Sequence, residues 1–223
     1  GAGRLASGAE DGLRVWNADT GACEWALAMP LVSDEAHAGW MRGLAALGAE
    51  RCLTAAGSRL KVWNISKGLC ECCVDTSGIH VECVAALGSE RCITGEHMVG
   101  QYMSPVRVWH LESGTCELTL QGHDSKVWQV SALGACRCVS ASYDLKVWNL
   151  SDGTCERAFG SGVCVLFFAV LSPERCVAVG GAGRGNNDFK LWNLKTGECE
   201  KTFTGPAHES YLWNTFVVAP SGT

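Results

Sequence analysis

Five copies of one short pattern run through this chain of 223 residues. Each copy places a hydrophobic, a basic and a second hydrophobic residue before Trp, and then has a polar turn and Gly-x-Cys-Glu. The copies read LRVWNADTGACE, LKVWNISKGLCE, VRVWHLESGTCE, LKVWNLSDGTCE and FKLWNLKTGECE. Their Trp residues follow one another at intervals of 47, 46, 39 and 44 residues: Trp16, Trp63, Trp109, Trp148 and Trp192. A period of roughly 40–45 residues is the length of one four-stranded propeller blade.

The fourth copy divides readily into strands. We predict strands a to d over residues 126–133, 137–141, 145–150 and 154–159. Strand c alternates Leu145 and Val147 with Lys146 and Trp148, which is the period of a β-strand. The turn before strand d ends in Gly153, a residue that accepts positive φ at little cost. Since no segment has sustained helical periodicity, the chain is predicted to be all-β, a β-propeller of four-stranded antiparallel blades with five blades present.

This fourth copy resembles the WD-repeat family. It carries Gly122-His123 ahead of strand a, Ser140 in strand b, Asp144 in the b–c turn and Trp148 in strand c. The resemblance implies a buried hydrogen-bonded tetrad in which His123 links Asp144 to Ser140, and Ser140 accepts from the Trp148 indole. We interpret His123, Ser140 and Asp144 as this structural network rather than as a catalytic triad. The chain departs from the family where Asn or His replaces the Asp that follows each Trp: Asn17, Asn64, His110, Asn149 and Asn193.

The repeat also predicts how the single domain is divided. Blade units span residues 1–30, 31–75, 76–121, 122–160 and 161–205, with an insertion in the third over residues 96–105. Residues 206–223 would supply strand a of the first blade, by pairing of 211–218 with 4–7. The alternative is that these five blades are part of a seven-blade propeller.

Composition argues against several classes of partner. The net charge is −5 and the 18 Lys and Arg residues are dispersed, so we expect no nucleic-acid binding. The longest apolar run, 163–171, is far short of the roughly 20 residues that span a bilayer. No basic and apolar leader is found at the start, so we expect no membrane association and a cytoplasmic or nuclear location.

Fourteen cysteines are tied to the repeat rather than spaced as a disulfide framework. One set follows Arg, and a second precedes Glu: Cys52, Cys92, Cys138 and Cys176 in the first, and Cys23, Cys70, Cys116, Cys155 and Cys199 in the second. Both sets are expected to be small buried hydrophobes in a reducing compartment. Cys70, Cys72 and Cys73 are close in sequence, but adjacent strand residues point to opposite faces. We therefore expect no metal site and no cofactor.

The resemblance implies that partners dock on the loops that enter strand a and on the b–c turns. Candidate partner-binding residues flank the central apolar residue of strand a or lie in a b–c turn: Trp40, Arg42, His80, Glu82, Lys126, Trp128, Tyr143, Tyr211 and Trp213. Aromatic residues and Arg are the usual composition of interface hot spots. The alternative is that Trp128 and Trp213 only pack between blades.

Three classes of function are compatible with this pattern. The leading prediction is a protein-interaction scaffold without enzymatic activity, monomeric within a larger assembly or chain, that binds other proteins or peptides. A reader of peptides or modified residues would bind them in a central channel lined by aromatic residues and by acids such as Glu82 or Glu209. A carbohydrate-binding or hydrolytic five-blade propeller would need paired acids about 5–10 Å apart. The acids here lie mostly after the repeat cysteines, which disfavours hydrolysis.

Overall fold

The computed structural model describes residues 3–9, 12–28, 41–97, 103–160, 165–180 and 188–204. These residues form nineteen β-strands, and they contain no helix. Within each of five separate sheets, every strand pairs with the next one along the chain in antiparallel fashion, and the sheets form a propeller-like arrangement. The predicted all-β fold of five blades is therefore confirmed. In this part of the chain there is no helix long and apolar enough to cross a membrane.

The sheets are named as blades in chain order. Blade 1 has three described strands: β1 (Arg4–Ala9), β2 (Gly12–Asn17) and β3 (Cys23–Ala28). Blade 2 has β4 (Met41–Ala46), β5 (Arg51–Ala56), β6 (Arg59–Asn64) and β7 (Leu69–Asp75). Blade 3 has β8 (His80–Leu87), β9 (Arg91–His97), β10 (Ser104–His110) and β11 (Thr115–His123). Blade 4 has β12 (Gln129–Ala132), β13 (Arg137–Ala141), β14 (Leu145–Asn149) and β15 (Cys155–Phe159). Blade 5 has β16 (Val165–Ser172), β17 (Arg175–Gly180), β18 (Asp188–Asn193) and β19 (Cys199–Phe203).

One β-bulge recurs between the last two described strands of every blade. In blade 4, Trp148 pairs with Cys155 and Val147 pairs with Arg157, so Glu156 is the extra residue. The register shifts at the equivalent place in the other four blades. A bulge adds local twist and re-aims a side chain. The Gly-x-Cys-Glu pattern is thus the sequence form of one repeated bulge.

The hydrophobic core lies between successive blades. One cluster joins Val139, Leu145 and Phe159 of blade 4 to Val165 and Phe168 of blade 5. Three further clusters join blades 1 and 2, blades 2 and 3, and blades 3 and 4 in the same way. Because each sheet has two apolar faces, burying them requires a neighbour on each side. The first strands of blades 2 to 5 consequently lie beside one another as inner strands.

Two repeated contacts make up the seam between blades. The first is a backbone hydrogen bond from the entry to an inner strand to the preceding blade, as from Val165 N–H to the Ser142 carbonyl at 2.9 Å. The second is packing of a fourth-strand side chain against a glycine in the next blade's last turn. A Cβ added at Gly153 would lie 3.2 Å from Leu118, and one at Gly197 would lie 3.4 Å from Phe159. The seam therefore demands both an apolar residue and a glycine.

Three sequence expectations concern the strand bounds and the closure of the ring. The insertion predicted over 96–105 lies between Gly95 and Val106, the last residues at which β9 and β10 pair with each other, although Glu96 and Ser104 still belong to those strands. Strand a of blade 4 is shorter than 126–133, because Val127 N–H bonds to the preceding blade instead. The strand expected over 211–218 lies outside the described residues, so closure of the ring and the assignment of 206–223 to blade 1 stay predictions.

The two sets of cysteines behave differently. Those that follow Arg are buried, as predicted: Cys52, Cys92, Cys138 and Cys176. Those that precede Glu are exposed, so the expectation that they are buried is wrong: Cys23, Cys70, Cys116, Cys155 and Cys199. The physical reason is their position on the outermost strand beside the bulge, where each thiol donates to the carbonyl two residues onward.

Candidate functional site

A buried polar network crosses blade 4. His123 Nδ1 lies 2.8 Å from Asp144 Oδ1, and its Nε2 lies 2.6 Å from Ser140 Oγ. The indole N–H of Trp148 donates to the same Ser140 oxygen at 2.8 Å. Because a carboxylate only accepts, a neutral His123 ring carries its proton on Nδ1 and accepts from Ser140 at Nε2. The structure thus brings together the four residues expected to form a tetrad, and both the hydroxyl proton and a lone pair of Ser140 are engaged within the protein.

Asp144 is held as an anion by its neighbours. Burial alone raises the pKa of its carboxyl, but hydrogen bonds from His123 and from Lys146, whose Nζ is 2.7 Å away, outweigh burial. The net pKa of Asp144 is below its usual range. Ionised Asp144 therefore orients the His123 ring, and the ring in turn orients Ser140.

The Trp-to-hydroxyl bond of this network recurs in other blades. Trp16 donates to Ser7, Trp63 to Thr54 and Trp109 to Thr94, at 2.8, 2.8 and 3.0 Å. Blade 5 has Ala178 at the hydroxyl position, because it pairs with Lys190 as Ser140 pairs with Lys146. Within the described residues, the His–Asp extension of the bond is seen in blade 4.

In blade 3 the buried carboxyl of Glu96 takes the place of the His–Asp pair, which the sequence analysis did not predict. Thr94 Oγ donates to Glu96 Oε1 at 3.1 Å, and Arg107 Nη1 lies 3.4 Å from Glu96 Oε2. Glu96 is fully buried, and burial raises its pKa to about 7, with Arg107 and Thr94 opposing only in part. The sequence did contain a signal for this contact, because Glu96 lies two residues after Thr94 and so shares its face of the strand.

A second group of charged and aromatic residues lies where the inner strands begin. We call Arg42, Glu82, Lys126 and Trp128 the inner-end cluster. Lys126 Nζ is 2.7 Å from Glu82 Oε2, and Arg42 Nη1 is 3.4 Å from the same oxygen. The Lys126 ammonium also lies over the Trp128 ring, 4.6 Å from its centroid. Blades 2, 3 and 4 each contribute to the cluster, because these residues occupy equivalent places near the starts of adjacent inner strands.

The four members of the inner-end cluster differ in exposure. Glu82 is 9% exposed at its side chain, Lys126 is 19% exposed and Arg42 is 47% exposed. The indole N–H of Trp128 is buried, and among the described residues it has no hydrogen-bond acceptor. One carboxylate and two cations give the cluster a formal charge of +1. It is therefore a locally cationic site with an unmet donor on a chain whose net charge is −5.

Two histidines lie close to the inner-end cluster. His80 begins β8 and pairs in register with His97, which ends β9. Burial lowers the pKa of His97, with Glu82 opposing this shift and the nearby cations adding to it. Lowering the pKa of an imidazole favours its neutral form, so His97 adds hydrogen-bonding capacity to this region rather than charge.

The predicted partner-binding residues are distributed as follows. Arg42, Glu82, Lys126 and Trp128 lie together, and His80 is half-buried beside them. Tyr143 is 54% exposed in the turn between β13 and β14. The other three lie outside the described residues: Trp40, Tyr211 and Trp213.

The acids of the repeat are occupied by ion pairs on the outer strands. In every blade the Glu of Gly-x-Cys-Glu lies within 2.6–3.6 Å of the Arg that begins the strand two places before it in the same blade. In blade 5, for example, Arg175 Nε lies 3.0 Å from Glu200. The amide of the Asn after Trp donates to the same Glu in three blades. These carboxylates hold each outer strand to its blade.

The cysteines of β7 do not converge. Cys72 is half-buried and donates to the Leu111 carbonyl at 2.8 Å, whereas Cys73 is exposed. Across the described ranges, no group of three or more His, Cys, Asp or Glu side chains is placed to hold a metal ion.

The fold and the repeated sheets define a repeat protein with propeller-like blades. No protein-family model and no curated protein matches this chain. The WD-repeat resemblance therefore depends on the residues quoted from the sequence, chiefly those of the fourth copy.

Proposed function

We propose that this chain is a WD-repeat-type interaction scaffold that binds a segment of another protein at the inner-end cluster. The observation that carries the proposal is the convergence of Arg42 of blade 2 and Lys126 of blade 4 on Glu82 of blade 3, with the Trp128 ring against the Lys126 ammonium. Arg and Trp are the residues most enriched among interface hot spots. A site assembled from three blades needs the whole stack in order to exist, which suits a rigid scaffold.

The polar groups elsewhere support binding rather than chemistry. Ser140 is buried and engaged on both sides by His123 and Trp148. The acids of the repeat lie on the outer strands and are paired to Arg residues of their own blades. A hydrolytic function would need acids that face a substrate about 5–10 Å apart. The proposal therefore includes the expectation of no enzymatic activity.

A reader of cationic residues is the second candidate, because Glu82 and Trp128 are the acid and aromatic that such a site would use. Lys126 argues against it. Its ammonium lies against both the Glu82 carboxylate and the Trp128 ring, and so fills the place of a cationic guest. A partner lysine would have to displace the Lys126 side chain from the Glu82 carboxylate and the Trp128 ring.

The proposal also concerns location. All thirteen cysteines among the described residues are free thiols. Free thiols persist in reducing compartments. We therefore propose the cytoplasm or the nucleus.

The proposal is tested by selecting binders from a displayed random peptide library and measuring their affinity by fluorescence polarisation. Trp128→Ala should reduce the affinity for the selected peptides by at least about tenfold, since it removes the central aromatic of the site. Phe203→Ala is the matched control, because Phe203 is likewise an aromatic with a lysine, Lys201, over its ring, 4.9 Å from the centroid, and it lies exposed on an outer strand. That variant should bind as the unmodified chain does.

Thermal unfolding of both variants separates lost binding from lost folding. Equal affinities for the Trp128 variant, the Phe203 variant and the unmodified chain would show that partners bind elsewhere. A folded Trp128 variant with reduced affinity supports the inner-end cluster as the site.

A further inference from the structure

We infer that the inner-end cluster recognises a carboxylate side chain, Asp or Glu, on an extended segment of a partner protein. The inference rests on the proposed function and adds the chemistry of the occupant. It follows from the balance of donors and acceptors in the cluster, from the exposure of its cations and from the unmet indole donor.

Among the described residues, the balance of charge in the inner-end cluster leaves one cation available. Glu82 and Lys126 satisfy each other at 2.7 Å, and both are largely buried. Arg42 reaches the same Glu82 oxygen only at 3.4 Å, and about half of its side chain is exposed to solvent. A guanidinium has five N–H donors in a planar fork that matches a carboxylate. Arg42 is therefore the group that an incoming carboxylate would meet.

The indole of Trp128 supplies the second, independent observation. Its N–H is buried and has no acceptor within the part of the chain that the structure describes. Leaving such a donor unmet is costly, and a bound acceptor relieves the cost. The Arg42 guanidinium and the Trp128 indole N–H are both donors that can bind acceptor atoms. A carboxylate offers two oxygens that only accept.

The arrangement disfavours other occupants. A cationic side chain would meet Arg42 and would find Glu82 only 9% exposed and already bound by Lys126. A purely apolar segment would bury Arg42 and leave the Trp128 donor unmet. A phosphate carries nearly two charges, whereas the cluster exceeds neutrality by one. A single carboxylate fits this excess best.

The experiment uses a positional-scanning library of octapeptides in which one position at a time is fixed as Glu, Gln, Lys or phosphoserine. Binding of the fluorescein-labelled pools is measured with the unmodified chain and with Arg42→Gln. We expect one position at which Glu binds about tenfold more tightly than Gln, which is typical of a charge-assisted bidentate contact. In Arg42→Gln this preference should fall to about twofold or less, and added salt should weaken it in the unmodified chain.

Two further variants keep the result interpretable. Arg157→Gln removes an exposed arginine on outer strand β15 and should leave the Glu preference intact. Arg42→Lys keeps the charge but loses the planar fork, so it should retain only part of the preference. Thermal unfolding confirms that each variant is folded.

The outcomes distinguish the inference from the proposed function. If Trp128→Ala abolishes binding but Glu and Gln pools bind equally, the carboxylate inference is overturned and the proposed function stands. If neither Trp128→Ala nor Arg42→Gln changes binding, both are overturned. If phosphoserine pools exceed Glu pools in an Arg42-dependent manner, the occupant is a phosphorylated segment and the carboxylate assignment is wrong.

Discussion

Glu96 allows the energetics of blade 3 to be tested by a single substitution. Its carboxyl is fully buried, and burial raises its pKa from 4.5 to about 7. The folded protein therefore takes up this proton more readily than the unfolded chain does. Protonation of Glu96 therefore adds to the free energy of unfolding. The added stability is fully present below pH 4.5 and is lost as the pH rises through 7. The full loss is about 3 kcal/mol, and about 2.5 kcal/mol of it falls between pH 5 and pH 8.

Glu96→Gln keeps the shape of the protonated carboxyl and cannot ionise. We expect the variant and the unmodified chain to have similar stability near pH 4. At pH 8 the variant should be more stable by about 2–3 kcal/mol, because it avoids the buried charge. The assay is urea unfolding followed by tryptophan fluorescence at pH 5, 6, 7 and 8, with the difference between the two proteins taken at each pH.

Taking differences at each pH cancels the other titrating groups, including Asp144, whose lowered pKa contributes with the opposite sign. Glu90→Gln is the control, because Glu90 is exposed on the same blade. Its effect should stay within about 0.5 kcal/mol. A Glu96→Gln difference that is the same at pH 5 and pH 8 would refute the link between burial and the titration of Glu96.

Three further predictions follow from the fold. Ser140→Ala leaves the buried Trp148 N–H without its acceptor, so the free energy of unfolding should fall by about 2 kcal/mol in denaturant titrations; a change below about 0.5 kcal/mol would contradict the network. Burial raises the pKa of Cys138 to about 12, so alkylation followed by mass spectrometry should label exposed Cys155 in the native protein, and Cys138 only after unfolding. Gly153→Ala combines a φ of 76° with a 3.2 Å contact to Leu118, so its thermal midpoint should drop by a few degrees, equivalent to about 1–2 kcal/mol. An unchanged midpoint would contradict this seam.

Much of blade 4 could be predicted because its information is local. The alternation around Val147 and the turn at Gly153 predict β14 and β15 to within a residue. His123, Ser140 and Trp148 were expected to meet, and the structure places them within hydrogen-bond distance. A repeat makes such contacts predictable, since equivalent residues occupy equivalent positions in each unit.

Other features depend on information that a linear pattern does not carry. The burial of Glu96 depends on how far β9 extends, and the sequence around it reads as an insertion. The two sets of cysteines look equivalent in the repeat, yet only the structure shows which strand is outermost. The contact of Lys126 with Glu82 joins two blades, so it depends on the offset between neighbouring sheets rather than on spacing within either.

The seam between blades has a consequence for how such a chain changes in length over evolution. Each repeat encodes both halves of the contact, an apolar residue on its outer strand and a glycine in its last turn, as Phe159 and Gly153 do in blade 4. A gene duplication or loss of one whole repeat therefore joins a matching surface to a matching surface without any compensating substitution. A recombination that is out of phase with the repeat destroys both halves at once. Blade number can thus change in whole steps, while each sheet keeps its own pattern.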